Sequence, residues 1–464
     1  MAKASAKTLY VCGECGASSA RWLGRCASCG GWNTLAEERV RAPAGKGARG
    51  RAVKAEPVVA PRPQPLGEVN AEDARRIPTG IDELDRVLGG GPVAGGVVLL
   101  GGDPGIGKST LLMQALAALA AKGSRGLYVT GEESASQVAL RGERIGGDGM
   151  REVQVLATTD LEDVEAALNE DTPHVAVVDS IQTVRSTELE SAAGSVAQLR
   201  EVSARLIDVA KRKGVALFLI GHVTKDGALA GPKVLEHLVD TVLSFEGDRT
   251  HAFRIVRVTK NRFGSAQEMG VFEMVREGLR EVPDPSAMFL AERPERASGS
   301  LVVPTAEGSR PLLVEVQALV APAVYGAARR VASGIDANRL SILLAVLERK
   351  AEVHVLDRDV FASIAGGARV DERAVDLALA VAVVSSLRDR PVAGDLAVFG
   401  EVGLAGEVRA VPRPGPRIAE ARKLGFTRIV LPKGNAARLL PDERAGVELV
   451  PVATLADALS AALG

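Results

Sequence analysis

The chain has 464 residues, a formal net charge of −1, 46% hydrophobic residues and only 3% aromatic ones. At roughly 100–200 residues per domain this length holds two to four domains, and the apolar fraction allows a large buried core. A core so poor in aromatics must be built from Ala, Val, Leu and Ile, which suits parallel α/β architecture; the neutral charge excludes a uniformly basic nucleic-acid binder and leaves local patches or a basic channel for any phosphate contact.

All four cysteines fall within residues 12–29, the usage expected of a reducing compartment in which cysteine is kept for a metal. They stand as Cys12-x2-Cys15, ten residues, then Cys26-x2-Cys29. Two such knuckles match a tetrahedral four-thiolate zinc site, with Gly13, Gly16 and Gly30 supplying the permissive backbone that the turns need. The competing reading is a pair of disulfides or a redox CxxC, but a module of about 35 residues has little besides a metal to fold around. With every ligand place filled by protein, the zinc is expected to be structural. Trp22 and Trp32, the only tryptophans, are expected to plug the core around the metal; the alternative is stacking on a base or a partner.

Residues 36–66 carry five prolines (Pro43, Pro57, Pro61, Pro63 and Pro65) and seven Lys or Arg against three Glu. Few of these groups can pack, so a flexible or extended tether is expected, with basic residues that also offer contacts to DNA. From Ile77 the pattern changes to alternating strand and helix. VVLLGGD (residues 97–103), RGLYVTGEE, HVAVVDS and VALFLIGH read as strands separated by helical stretches, the first helix running from Lys108 to about Ala121. That alternation implies βαβ units and a parallel sheet. FRIVRVTKNRFG reads as a later strand with a special ending. The expected domains are a zinc finger over 1–35, a linker over 36–66, a P-loop domain over 67–285 and a second α/β domain over 286–464, which has Ala-rich helices and no P-loop of its own. The N-terminus shows no h-region or cleavage site, and no run of about 18 uninterrupted apolar residues occurs, so the expected location is the cytoplasm with no membrane partner.

Gly102, Asp103, Pro104, Gly105, Ile106, Gly107, Lys108 and Ser109 fit G-x4-GK[ST], with Thr110 next. The string follows a strand and opens a helix, the context that the motif requires. Loop N–H groups and the helix N-terminus cradle phosphate oxygens; Lys108 is expected on the β- and γ-phosphates of ATP and the Ser109 hydroxyl on Mg²⁺. Asp179 ends the apolar strand HVAVVDS and is expected on Mg²⁺, directly or through water. An Asp beside Ser180 at a strand end also fits a plain helix cap. Glu132 and Glu133 end the YVTG strand, expected beside the P-loop strand; Glu132 is favoured as the base that orients the attacking water, and Glu133 suits entry into the next helix.

In the four-Cys finger and the strings PTGIDELDRVLGGG, GGDPGIGKST, YVTGEES, VVDSIQTV, GHVTKDG and VTKNRFG, the chain resembles, from end to end, the RadA (Sms) family of bacterial DNA-repair proteins. Lys260-Asn261-Arg262-Phe263-Gly264 is that family's diagnostic motif. The resemblance implies a RecA-like ATPase core, a ring that is expected to be a homo-hexamer, and Lys260 and Arg262 reaching the ATP of the neighbouring subunit; read without it, they form a solvated basic turn. It implies that His222 senses the γ-phosphate at the end of its strand, where a buried, hydrogen-bonded histidine is the alternative. Lys225, Asp226 and Gly227 would then begin a DNA loop in which Lys225 and Lys233 touch phosphates, with residues 185–195 as a second pore loop.

The C-terminal domain resembles the Lon protease domain, but Ala374 stands at the nucleophile's place and Gly415 at the general base's. Without hydroxyl or amine no acylation follows, so a fold kept without its chemistry is expected, serving the ring and offering a basic surface drawn from Arg329, Arg330, Arg413, Arg417, Arg422 and Lys423, although for any single one of these an ordinary helix-face charge is the favoured reading. The function implied is a DNA-dependent ATPase of homologous recombination, a ring-shaped helicase or branch-migration motor on single-stranded and branched DNA alongside RecA recombinase. The rivals are a filament-forming recombinase, an ATP-switched mediator or adaptor, and, least favoured, a peptidase.

Overall fold

A computed structural model describes residues 7–12, 18–19, 21–27, 30–40, 65–66, 75–222, 234–247, 253–266, 268–294, 296–307, 310–323, 326 and 328–464. Cys15 and Cys29, the loop lysines Lys225 and Lys233 with Asp226 and Gly227, and most of the expected linker lie outside the described residues. The chain divides into two compact units, one of Met1–Glu246, Val256–Ala266 and Met274–Arg280 and the other of Gly247–Ile255, Gln267–Glu273 and Glu281–Gly464.

At the N-terminus β1 (Lys7–Cys12) lies between β2 (Ser18–Ser19) and β3 (Leu35–Val40), antiparallel to both. The register sets Cys12 opposite Leu35 and Tyr10 opposite Glu37. The buried centre of this ribbon is Cys12, Cys26 and Leu35, with Tyr10 packed against it. β3 continues to Val40, past residue 35.

The next sheet is built on apolar strands with helical crossovers. In chain order come α1 (Asp82–Leu88), β4 (Val97–Gly102), α2 (Lys108–Ala121), β5 (Gly126–Thr130), α3 (Ala135–Ile145), β6 (Gln154–Ala157), α4 (Leu161–Glu170), β7 (Val175–Asp179), α5 (Val196–Lys213), β8 (Ala216–His222), α6 (Val234–Leu238), β9 (Thr241–Glu246), β10 (Phe253–Asn261), β11 (Met269–Val275) and β12 (Gly278–Glu281). Every residue of β4, β5 and β7 is buried, as expected of a sheet covered on both faces. The strand order is β12-β11-β10-β9-β4-β8-β7-β5-β6, and β4 through β9 pair in parallel. One expectation is corrected here: β5 pairs with β6 and β7, whereas the P-loop strand β4 lies between β8 and β9. Two strands formed later in the chain are inserted between them, an arrangement set by crossover topology rather than by sequence proximity.

The C-terminal unit holds α7 (Pro285–Leu290), β13 (Ser300–Glu307), β14 (Arg310–Pro322), β15 (Arg330–Ser333), α8 (Ala337–Lys350), β16 (Arg358–Ile364), α9 (Val375–Leu387), β17 (Leu396–Val398), the short pair β18 (Glu401–Val402) and β19 (Val408–Arg409), α10 (Pro414–Lys423), β20 (Arg428–Pro432) and β21 (Glu448–Val452). Its main sheet runs β15-β16-β14-β13-β17-β20-β21, antiparallel around the β13–β14 hairpin and parallel from β13 onward to β21. Residues 375–385 of α9 are all buried, as expected of a largely apolar helix inside its core, with buried Asp376 paired to Arg339.

Candidate functional site

The phosphate loop follows β4 and enters α2. Gly105 and Gly107 have φ of 77° and 120°, a region that L side chains rarely occupy, and a Cβ on Gly107 would stand 2.9 Å from Met274 Cε. The loop therefore needs glycine at both positions for conformation. Lys108 is buried and its Nζ donates to the carbonyls of Gly102 (2.7 Å) and Asp103 (2.9 Å). Burial lowers its pKa, while the carboxylates of Asp179, Asp103 and Glu132 pull the other way. Three acidic groups thus face one ammonium at the mouth of a glycine cradle. That donor set fits a nucleotide triphosphate with Mg²⁺: N–H groups and an ammonium for phosphate, hard oxygens for the metal.

Asp179 ends β7 and is buried. Its Oδ2 accepts a hydrogen bond from the Tyr128 hydroxyl of β5. Ser109 lies within hydrogen-bonding reach of the same phenol, and Arg141 of α3 donates to it at 2.8 Å with its guanidinium 5.4 Å from the ring centroid. Burial first, and the Asp179 charge next, raise the Tyr128 pKa, so the phenol stays a donor. The fold thereby brings Ser109 and Asp179, the two expected metal ligands, to one fully buried hydroxyl.

Glu132 and Glu133 face different partners. The Ser180 hydroxyl donates to Glu132 Oε1 at 2.6 Å, next to Asp179. Gly131 makes this approach possible: its N–H donates to the Asp179 carbonyl at 2.9 Å, and a Cβ there would stand 2.1 Å from Thr183 Oγ1. Glu133 pairs with Arg141 at 2.9 Å and precedes Ser134, the N-cap of α3, whose capping box is closed by Gln137. Tyr128, Arg141 and Ser180 were not among the candidates from sequence. Tyr128 carried the one available signal, a phenol inside an otherwise apolar strand, because a buried hydroxyl needs a partner.

Lys260 and Arg262 are tied to the turn between α6 and β9. Lys260 Nζ donates to the carbonyls of Glu236 and Val239, both at 2.7 Å, and burial, then the nearby Arg262 charge, lowers its pKa. Arg262 pairs with Asp240 at 3.2 Å, and the other oxygen of Asp240 accepts from the Val97 N–H at 3.1 Å. His222 ends β8; its side chain lies outside the described residues. The segment 185–195 is pinned by buried Gln198, which bonds the backbone of Ser186, Leu189 and Ser191.

In the ribbon, the Cys26 N–H donates to the Gly31 carbonyl (2.8 Å) and the Gly30 N–H to the Cys26 carbonyl (2.9 Å). This tight knuckle, with Gly30 at φ 78°, presents a buried thiol, as β1 does with Cys12. Two buried soft donors in a ribbon with almost no apolar core fit a zinc ion. The expected packing of the tryptophans is corrected: Trp22 and Trp32 are exposed, because the thiols themselves occupy the small centre.

The expected basic surface of the C-terminal unit loses one member, Arg417. Arg417 is buried, paired with both oxygens of Glu372 (2.7 and 2.6 Å) and donating to Pro304 O (2.7 Å). Arg329 pairs with Asp359 and Lys423 with Asp284, at 2.6 and 2.7 Å, and Arg422 donates to the Ala445 carbonyl. Arg417 is thus committed to the core, whereas Arg329 and Lys423 keep most of their side chains exposed beside their partners. Ala374 is the N-cap residue of α9, and a Cβ on Gly415 would stand 1.9 Å from Glu443 Oε1. A carboxylate therefore fills the path a lysine would take.

A family model described as an AAA domain matches residues 62–228. A rubredoxin metal binding domain matches residues 10–37, and subunit ChlI of Mg-chelatase matches residues 314–435. These agree with a P-loop ATPase that uses ATP and Mg²⁺, a zinc ribbon before it and a Lon-like α/β unit after it. The solved KaiC-like protein PH0186 from Pyrococcus horikoshii is 23% identical, with a TM-score of 0.39 over 45% of this chain and 100% of its own. No helix among the described residues is long and apolar enough to cross a membrane. The DNA repair protein RadA of Pseudomonas aeruginosa is 51% identical over 459 residues, 99% of each chain. That of Bacillus subtilis is 47% identical over 463 residues, 99% of this chain and 100% of its own, and that of Escherichia coli 48% over 462 residues, 99% of each. Likeness of this degree along the whole length means that the chain belongs to the RadA family of DNA repair proteins.

Proposed function

We propose that the protein is a DNA-dependent ATPase that works as a ring-shaped motor, a homo-hexamer, on single-stranded and branched DNA alongside RecA, driving branch migration in recombination and repair. The observation that carries the reading is the convergence of Lys108, Ser109, Asp179 and Glu132 around one loop, the set that phosphoryl transfer to water requires. Lys108 leaves the loop carbonyls to hold phosphate oxygens. Ser109 and Asp179 hold Mg²⁺, which when bound neutralises charge on the β- and γ-phosphates. Glu132, oriented by the Ser180 hydroxyl, aligns a water for in-line attack, and its separation from the Glu133–Arg141 pair supports that choice. His222 reports the γ-phosphate state to the loop that follows β8. Lys260 and Arg262 stabilise transition-state charge in the neighbouring subunit, for which Lys260 exchanges its carbonyl partners for phosphate oxygens.

Strand displacement on a forked DNA, with ATP and Mg²⁺, tests the reading in the intact protein and in Lys108→Ala. Unwinding by the intact protein alone is expected. ATP turnover that DNA fails to stimulate, with no unwinding by either protein, would refute the motor and leave an ATP-switched mediator or adaptor. Unimpaired turnover in Lys108→Ala would refute the site.

A further inference from the structure

The two tryptophans of the chain stand in solvent on the zinc ribbon, Trp22 54% exposed and Trp32 71%. A domain with so little apolar material gains by burying such rings, so their exposure is costly and calls for a use. Trp32 is held in place, and Trp22 lies close against the backbone. The six-membered ring of Trp22 lies over Gly24, with Cη2 3.8 Å from where a Cβ would stand. Trp32 bridges Arg25 across the hairpin, with the Arg25 guanidinium 5.8 Å from its ring centroid. Arg25 is itself fixed by donating Nε–H to the Gly30 carbonyl at 3.0 Å, and the Asn33 N–H closes the hairpin on the Gly24 carbonyl at 2.8 Å. Arg21 is exposed on the same segment, and residues 21–34 contain no Asp or Glu.

Two exposed indole faces, one ordered by a fixed guanidinium, with a second arginine nearby and no acidic group in residues 21–34, match a ligand that offers unstacked aromatic faces on a polyanionic thread. Duplex DNA hides its base faces, whereas a single strand presents them, and stacking on an indole tolerates any base. We propose that Trp22, Trp32, Arg21 and Arg25 form a second, sequence-neutral site for single-stranded DNA, with bases stacked on the indoles and phosphates on the guanidiniums. The site rests on the proposed function only for the choice of DNA as the strand.

Because no tryptophan lies elsewhere, tryptophan emission of the full-length, zinc-loaded protein reports this site alone. Oligo(dT) is titrated while emission and, in parallel, the anisotropy of an end-labelled oligo(dT) are followed. The expected result is saturable quenching with the same midpoint as the anisotropy, both shifting to higher concentration as salt is raised. Trp32→Ala weakens binding by about 5- to 100-fold and Trp32→Phe by less, because a phenyl face still stacks; zinc content checks that each variant holds its fold. Tight binding by anisotropy with unchanged emission and an unaffected Trp32→Ala would overturn the site while leaving the DNA motor intact. Emission that responds to a protein partner but not to oligo(dT) would overturn it in favour of a protein-docking surface. No binding in either signal would overturn both the site and the DNA-motor reading.

Discussion

Replacing Tyr128 by Phe removes one oxygen and leaves the ring packed in β5. That oxygen donates to Asp179 and accepts from Arg141, and all three groups are largely withdrawn from solvent. A hydrogen bond to a charged group contributes about 1.5–3 kcal/mol. Groups that orient a metal-ligating carboxylate typically change metal affinity or activity by roughly 10- to 100-fold. Arg141 suffers as well: its Nε already lacks a hydrogen-bond partner, and the variant strands a second donor while the Glu133 pair persists. The assay is binding of a fluorescent ATP analogue as a function of Mg²⁺, with an EDTA reference. Tyr128→Phe is expected to raise the half-saturating Mg²⁺ by about 10- to 100-fold and to leave binding in EDTA unchanged. Equal losses with and without Mg²⁺, or a lowered melting temperature with an unchanged Mg²⁺ requirement, would show that the phenol only packs the strand.

Four further outcomes are expected. Glu132→Gln should bind ATP but lose turnover, whereas Glu133→Gln should turn over and lose only the Arg141 pair; single-turnover hydrolysis separates them, and the reverse pattern refutes the assignment. Arg417→Ala breaks a buried ion pair, a change that costs roughly 3–5 kcal/mol; the lower end applies because Glu372 keeps a fifth of its side chain exposed and still accepts from the Ala306 N–H at 3.0 Å, and an unshifted urea midpoint would contradict it. Ala374→Ser with Gly415→Lys should show no peptidase activity on casein and should melt below the parent, because the lysine displaces Glu443 from its bond with the Leu440 N–H at 2.9 Å. The His354–Glu348 pair raises the histidine pKa above 6.5 and pushes the carboxylate down from 4.5 to about 2. The histidine's contribution is complete below 6.5 and lost as pH rises through its raised value; the carboxylate's is complete above 4.5 and lost as pH falls towards about 2. The melting temperature of His354→Ala should therefore differ most from the parent between those two ordinary values, and a gap that persists at high pH would refute the linkage.

The parts of the molecule legible in sequence were those set locally. A glycine loop between an apolar strand and a helix needs no distant partner to be recognised, and neither does a CxxC knuckle. Apolar strands such as VAVVD carry their burial in their own composition. What was not legible depends on residues far apart along the chain. The insertion of β7 and β8 between β4 and β5 is a matter of crossover order. Arg417 has the sequence of a helix-face charge, and its burial depends on Glu372, 45 positions away. Tyr128 meets Asp179 across 51 positions, and no period or spacing records that meeting. The tryptophans stand outside because a metal ribbon makes its centre from thiols, which no apolar pattern records.

Asp240 has one oxygen on the Val97 N–H at the start of β4 and the other on Arg262. It is therefore a rivet between two members of the same machine: the strand that ends in the phosphate loop and the arginine expected to leave its own subunit's frame. Within one subunit, a substitution at Asp240 is therefore felt at both ends, at the first peptide of the nucleotide-bearing strand and at Arg262.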